Sequence, residues 1–329
     1  MKQISVIILN WNGINLLKEY LPRVLNATDL DISEVIVADN GSTDGSLDYA
    51  HWLGLEVIKF DENHGFAEGY NLALQTIQTP YSILLNSDVA PRPGWDHELL
   101  KYMEENQQCG ACQPKILSWR NHQKFEYAGA CGGFLDRNGY PYCRGRIFGT
   151  TEVDSGQYNV PINIDWASGA ALMIRTELYR KMGGLDSSFF AHMEEIDLCW
   201  RIRLEGWSIA AVPSAEVLHL GGGSLPMGNP RKTYLNFRNN LLLLHKNLPE
   251  TDRKPTLFCR RLLDTLAWLK SIISLNFSDA GAILKAHRDY RRMVSDVEIS
   301  NAHSNLLSNR PNILINYYIL RRRKFSQVK

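Results

Sequence analysis

Four groups of residues in this chain have types and spacing suited to chemistry on a phosphorylated substrate. In YSILLNSDVAPRPGW the apolar run Ile83-Leu84-Leu85 leads into Asn86-Ser87-Asp88 and then a proline-broken loop. A buried strand there delivers an amide, a hydroxyl and a carboxylate to its own C-terminal edge. Mg2+ or Mn2+ bridging two phosphates needs only one or two protein oxygens, because phosphate and water fill the other positions, so Asp88 is enough to start a metal site. His219 in EVLHLGGGS offers a second ligand, since imidazole suits Mn2+-class ions. The glycines after it, Gly221-Gly222-Gly223-Ser224, can bring backbone N–H groups close to phosphate oxygens. Met193-Glu194-Glu195-Ile196-Asp197 reads as the acidic first turn of a helix. The helix dipole favours acids there, and mutual repulsion raises the pKa of a carboxyl among them, which suits proton abstraction near neutral pH.

The elements that must position these groups show in the hydrophobic pattern. Apolar runs at 4–9, 34–38, 55–60 and 81–86 alternate with stretches of helical spacing such as Leu16, Leu17, Tyr20, Leu21 and Val24. Alternation of this kind predicts parallel strands with helices on both faces, and ligands in such sheets bind beyond the strand C-termini. Each run ends in polar residues: Asn10 and Asn12, then Asp39 to Asp44, then Asp61 to Gly65, then Asn86 to Asp88. A turn rich in Asn, Asp and Gly explains any one of these loops. Four of them at one sheet edge describe a crevice.

Residues 91–165 read as loops over the edge of the sheet. A strand at 170–174, a helix from Thr176 to about Met182, the acidic helix and the strands WSIAAV and EVLHLGGGS follow. The six cysteines are scattered, with Cys109 and Cys112 as the one close pair and no matching second pair, so they read as reduced thiols. No run of about 18 apolar residues offers a membrane span, and Met1 to Val6 lacks the pattern of a secretion signal.

Net charge is +1, yet residues 1–226 carry 17 Lys+Arg against 28 Asp+Glu, and residues 227–329 carry 19 against 7. A basic helical tail follows an acidic body. Phe258, Leu262, Leu266, Leu269 and Ile273 form an apolar stripe at helical spacing beside Arg260, Arg261 and Lys270. Such a stripe is expected to pack against its own protein, with an anionic membrane surface as the competing partner. Nucleic acid is disfavoured by the acidic body and by the lack of a binding module.

Seven blocks, SVIILNWNG, VIVADNGSTDGS, NHGFAEGYNLAL, LLNSDV, WASGAALMIRTELYRKMGGLDSSFF, HMEEIDLCWRIRLEGW and VLHLGGGS, resemble in order the family 2 glycosyltransferases of the GT-A fold, and most closely their rhamnosyltransferase-like branch. The resemblance spans roughly residues 1–245. It implies a mixed, mostly parallel sheet flanked by helices, with a C-terminal helical tail. The implied organisation is a nucleotide-sugar half at 1–90, an acceptor half at 91–226 and a basic helical region at 227–329.

The resemblance also implies roles at matching positions. Asp39 would recognise the nucleotide base, with Asn10, Asn40, Asn63, Gly65, Phe66 and Asn71 around the nucleotide. Asn86, Ser87 and Asp88 stand where the family has its DxD motif, Asp88 and His219 would hold the metal, and Glu195, with Glu194 beside it, would be the base. Two positions depart from the family: Asn86 replaces a carboxylate, and Glu195 stands where Asp is commoner.

The implied reaction is inverting transfer of rhamnose or a related hexose from a dTDP-, UDP- or GDP-sugar to a saccharide or lipid-linked saccharide. The missing secretion signal and the basic amphipathic tail lead to the expectation of a peripheral location on the cytoplasmic face of the inner membrane. Asn86 also admits a non-catalytic nucleotide-sugar-binding protein. A sugar nucleotidyltransferase is less suited, because ILNWNGINLLK lacks a basic glycine-rich loop for a triphosphate.

Overall fold

A computed structural model describes residues 1–221, 229–300, 302 and 304–328. Gly222, Gly223 and Ser224 of the expected phosphate loop, and the expected boundary after residue 226, lie outside the described residues.

Apolar runs become strands in the first third of the chain, buried except for the third, which lies at the edge of the sheet. These are β1 (Ile4–Asn10), β2 (Ser33–Asn40), β3 (Glu56–Phe60) and β4 (Tyr81–Asn86), connected by α1 (Ile14–Ala27), α2 (Ser46–Trp52) and α3 (Gly65–Thr76). β4, β1, β2 and β3 lie side by side and parallel, so every one of their C-termini opens on the same edge. Helix α3 sits close on the sheet because Gly69 lets it: a Cβ there would stand 2.8 Å from Leu9 Cδ1.

The middle of the chain is more ordered than its sequence suggested. After β5 (Val89–Pro91) and α4 (Trp95–Glu105), β6 (Cys109–Ser118) is a ten-residue strand inside the main sheet, buried over nine positions. A two-sided burial with a mid-strand proline and glycine gave it no period-2 alternation to read. Its cysteines, Cys109 and Cys112, are buried free thiols. β7 (Asn121–Phe125) pairs with β6, and β8 (Gly133–Leu135), β9 (Pro141–Cys143), β10 (Arg146–Ile147) and β11 (Thr150–Thr151) form a small separate antiparallel sheet.

The main sheet is completed by β12 (Ile162–Ile164), β13 (Ala171–Arg175) and β14 (Ser208–His219), with α5 (Thr176–Lys181) and α6 (Glu194–Leu204) between the last two. Its order is β12-β14-β6-β13-β4-β1-β2-β3. β13 runs antiparallel to both neighbours, so it begins at the edge where β4 ends. The two expected segments at 207–219 are one strand, its register against β6 shifted between Val212 and Glu216.

The basic tail forms α7 (Pro230–Asn247), α8 (Glu250–Ile273) and α9 (Phe277–Met293). It is fastened to the body by buried polar groups. Lys246 Nζ reaches Asp186 at 2.6 Å and Asp197 at 2.9 Å, and Asn240 Nδ2 donates to Gly139 O at 2.7 Å. Arg260, 2% exposed, pairs with Asp264 at 3.1 Å, lies 3.9 Å over the Tyr140 ring and donates to Asn138 O. Contrary to expectation, the apolar stripe of α8 faces outward: Phe258 and Leu266 are each 62% exposed, and the side turned to the body carries Leu257, Arg260 and Asp264. The paired polar groups win the interior because buried charges are tolerated where each has its partners.

Candidate active site

At the C-terminal edge of the parallel strands, the short polar side chains first hold the loops. Asp39 Oδ2 accepts Ser42 N at 3.0 Å, and Oδ1 accepts Asn10 Nδ2 at 3.3 Å; both residues are about fully buried, at 1% exposure. Asn40 donates to Asn63 Oδ1 and to Gly65 O, each at 3.0 Å, and accepts His64 N at 3.0 Å. Asn63 Oδ1 also accepts Gly65 N at 2.8 Å, and Gly65 takes φ +79°, a left-handed turn that starts α3. Asn40 and Asn63 therefore shape the wall that presents Phe66.

Asn71, expected to face the nucleotide, is spent elsewhere. It donates to Leu185 O at 2.8 Å and accepts Leu185 N at 2.9 Å and Tyr179 Oη at 2.7 Å. Its place is a clamp between α3 and the segment leading to the acidic helix.

Pairing of β5 with β14 sets Val89 opposite His219 and so carries Asp88 to the imidazole. Asp88 Oδ1 lies 3.1 Å from His219 Nε2, and Glu126 Oε2 lies 3.3 Å from Nδ1. Asp88, Glu126 and His219 are all buried, and the Glu126 carboxylate is itself held by the Ala128 N–H. Burial opposes a charged His219, but hydrogen bonds and charge from Asp88 and Glu126 outweigh it and push the imidazole up to about 10. Burial raises the Asp88 carboxyl, yet the hydrogen bond and charge of His219 leave it below its ordinary range.

Among the described residues, no three or more His, Cys, Asp or Glu side chains are grouped to hold a metal by themselves. Asp88 and His219 fit a two-ligand site provided that the imidazole gives up its Nε2 proton to the incoming cation. Adjacent ligands of an octahedral ion bound at 2.0–2.1 Å stand about 3 Å apart, and the two side-chain atoms are separated by 3.1 Å. Asn86 and Ser87 stand at the end of β4 beside them, and Asn86 N donates to Ala170 O at 3.0 Å.

That last bond joins β4 to the start of β13. Gly169 lies between two predicted site residues: a Cβ on it would stand 3.6 Å from Phe66 Cζ and 3.7 Å from Glu195 Cβ. Phe190, His192 and Met193, all outside the usual range for non-glycine residues, take φ of +65°, +67° and +79° just before α6. Asn239 of α7 supports that turn by donating to Phe189 O, Ala191 O and His192 O at 2.9, 2.8 and 2.7 Å.

The three acids of α6 separate by environment. Asp197 faces the body, paired with Arg201 at 2.8 Å and Lys246 at 2.9 Å, and accepts Asn247 Nδ2 at 2.7 Å. It does not join the repulsion expected from the sequence. Glu194 and Glu195 each bury one carboxyl oxygen without a protein partner. Burial raises Glu194 well above the ordinary range, with the Glu195 charge second, while burial raises Glu195 to about 7 despite backbone N–H groups that lower it. Burial thus raises both carboxyls, Glu194 further than Glu195.

Sequence reasoning missed Glu126, Gly169 and Asn239. Glu126 lies in FEYAGACGG, where an acid isolated among small and aromatic residues was the available signal. Nothing in the sequence distinguished Asn239 from its neighbour Asn240.

Comparison with known proteins gives this arrangement its context. The family model described as Glycosyl transferase family 2 matches residues 5–175. N-acetylglucosaminyl-diphospho-decaprenol L-rhamnosyltransferase of Mycobacterium tuberculosis (strain ATCC 25618 / H37Rv) is 27% identical over 227 residues, covering 62% of this chain and 71% of that one. The dTDP-rhamnosyl transferase RfbF of Shigella flexneri is 22% identical over 260 residues, covering 73% and 82%. Among solved structures, GalNAc-T7 with UDP, GalNAc and Mn2+ aligns with a TM-score of 0.59 at 15% identity, over 90% of this chain and 56% of that one. The mannosyltransferase PcManGT from Pyrobaculum calidifontis, in complex with GDP-Man and Mn2+, aligns with a TM-score of 0.55 at 16% identity, over 90% and 84%. The architecture is the GT-A fold.

Proposed function

The chain belongs to glycosyl transferase family 2, and we propose that it transfers rhamnose or a related hexose, with inversion, from a nucleoside-diphosphate sugar to a hydroxyl of a saccharide or lipid-linked saccharide. The reaction would serve cell-surface polysaccharide synthesis at the cytoplasmic face of a membrane. The observation that carries the reading is Glu195. Its carboxyl is raised to about 7 and stands across Gly169 from Phe66, on the edge where Asp88 and His219 meet. A general base works best when its pKa lies near the working pH.

In this reading residues 1–90 hold the donor nucleotide, with Asp39 and Asn10 at the base end and Phe66 as a wall. Residues 91–226 hold the acceptor, and the tail from 227 attaches the enzyme to its surface. Asp88 and His219 would hold Mg2+ or Mn2+, with Asn86 and Ser87 as polar neighbours. When bound, the cation supplies charge neutralisation to the departing diphosphate. Glu195 accepts the proton of the acceptor hydroxyl as that oxygen attacks the anomeric carbon, on the face opposite the leaving group. Glu194 stays protonated and adds no competing charge. One displacement inverts the anomeric centre. The rhamnosyl donor and the lipid-linked acceptor rest on the names of the relatives.

The test is a donor panel of dTDP-rhamnose, UDP-hexoses and GDP-sugars with Mn2+ or Mg2+, followed by nucleoside diphosphate release. Release from one donor that requires metal and is lost in Asp88→Ala and Glu195→Gln is the expected result. Tight donor binding without release, with lipid-linked acceptors present, would replace the transferase by a nucleotide-sugar-binding protein.

A further inference from the structure

In α8 the stripe Phe258, Leu262, Leu266, Leu269 and Ile273 follows the helical repeat, the pattern by which a helix ordinarily covers its own core. Here these residues are 62, 55, 62, 42 and 80% exposed. The inward side is instead closed by Arg260 and Asp264, which are 2% and 1% exposed and paired with each other, Arg260 also lying over Tyr140 and Asp264 facing His287. Turning the helix over would bury Leu266 only by stripping those charges of their partners. The apolar ridge is fixed outward.

The ridge does not stop with the helix. The turn into α9 adds Leu275 and Phe277 at 75% and 62% exposure. On its flank Lys270 Nζ lies 5.6 Å over the Tyr318 ring, which joins the exposed Tyr318-Ile319-Leu320 to the same surface. Contiguous exposed apolar surface of this kind marks an interaction site.

Charge identifies the partner. Lys254, Arg261 and Lys270 are exposed on α8, and the one acid between Lys254 and Ser274 is the buried Asp264. Arg321, Arg323 and Lys324, also exposed, come directly after Leu320. We propose that this ridge docks on an anionic lipid bilayer, with α8 lying in the interface plane, its apolar side chains among the acyl chains and its bases at the lipid phosphates. A second copy of the chain would set two basic surfaces against each other. Among the described residues no helix is long and apolar enough to cross a membrane, which agrees with docking on the surface. The inference deepens the reading of a lipid-linked acceptor, but its test involves neither donor nor acceptor, so the two fail separately.

The full chain is sedimented with vesicles of phosphatidylglycerol and phosphatidylethanolamine, and with phosphatidylcholine vesicles, at low and high salt. The same is done for Leu266→Gln/Ile273→Gln, which removes apolar surface without changing charge, and for Arg261→Ser/Lys270→Ser. All three proteins are checked for unchanged circular dichroism and melting temperature, and for mass by light scattering. The expected result is binding of the wild type to anionic vesicles that weakens with salt, a partition coefficient at least tenfold lower for the Gln pair, and loss of the salt-sensitive part in the Ser pair. Equal vesicle binding by a folded Gln pair overturns the proposal, as does a wild type that binds neither vesicle. A wild-type dimer that the Gln pair abolishes would give the ridge to a second copy instead.

Discussion

At the scale of single residues, the decisive contrast is between Glu194 and Glu195, adjacent in sequence and both short of a partner for one oxygen. Replacing Glu195 by Gln should lower kcat by about 10²–10⁴-fold, the usual contribution of a positioned base, while leaving donor affinity measured by calorimetry unchanged. Because Glu195 must be ionised to accept a proton and burial raises it to about 7, kcat should rise as pH increases through that value. It should level off above. Glu194 has a stability signature of the opposite kind. Its folded carboxyl is raised, so above the unfolded carboxyl pKa the unfolded state loses a proton that the folded state keeps, and stability falls as pH rises. Glu194→Gln should therefore melt higher than the wild type at pH 8 and no higher at pH 4. Glu126 acts through another residue: its carboxylate faces His219 Nδ1 and orients the ring. A carboxylate behind a ligating histidine commonly contributes 10–100-fold to metal affinity, so Glu126→Gln should weaken Mn2+ binding by about that factor, read by water-proton relaxation without turnover.

At the scale of elements, the parallel strands, their polar ends and the acidic helix were legible because apolar runs, turn residues and helix-start acids are local signals. β4 was readable to its last residue, and with it Asn86, Ser87 and Asp88. The long β6 was not, since a strand buried on both faces has no alternation and Pro114 and Gly110 resemble loop residues. Nor was the contact of His219 with Asp88 and Glu126, the first of which depends on β5 meeting β14 across more than a hundred residues of chain. The turn before α6 was equally hidden: Phe190, His192 and Met193 show no glycine signal although their backbones are left-handed. Such a turn persists where its surroundings over-determine it, and Asn239 supplies three of the bonds that do so. The amide has two N–H donors to share among the three carbonyls, so at roughly 1 kcal/mol for each net hydrogen bond Asn239→Ala should cost about 2 kcal/mol in urea unfolding. It should also lower kcat more than it raises the KM for donor, because the displaced residue is the proposed base.

At the scale of the whole molecule, the net charge of +1 hides an acidic body and a basic tail that are bonded through buried pairs. The tail's helical character and charge were legible, but its orientation was not. Hydrophobic periodicity gives the faces of a helix, whereas the partners of Arg260 and Asp264 decide which face turns inward. Truncation after residue 249 should consequently damage the body, leaving the Tyr140 and Asn240 side without its cation and Asp165 without Arg310. The truncated chain should melt at lower temperature than the full chain, or be recovered in the insoluble fraction, whereas point changes on the ridge should leave melting unaltered. The fastening of Asp165 by Arg310, and of the Glu152 carboxylate by the Phe325 N–H, also bears on how the protein is made. Both clasps come from the last twenty or so described residues, while the surfaces they close are completed far earlier during translation. On the ribosome Asp165 and Glu152 must therefore make do with Arg203 and Tyr158 until a further 145 and 173 residues have been added.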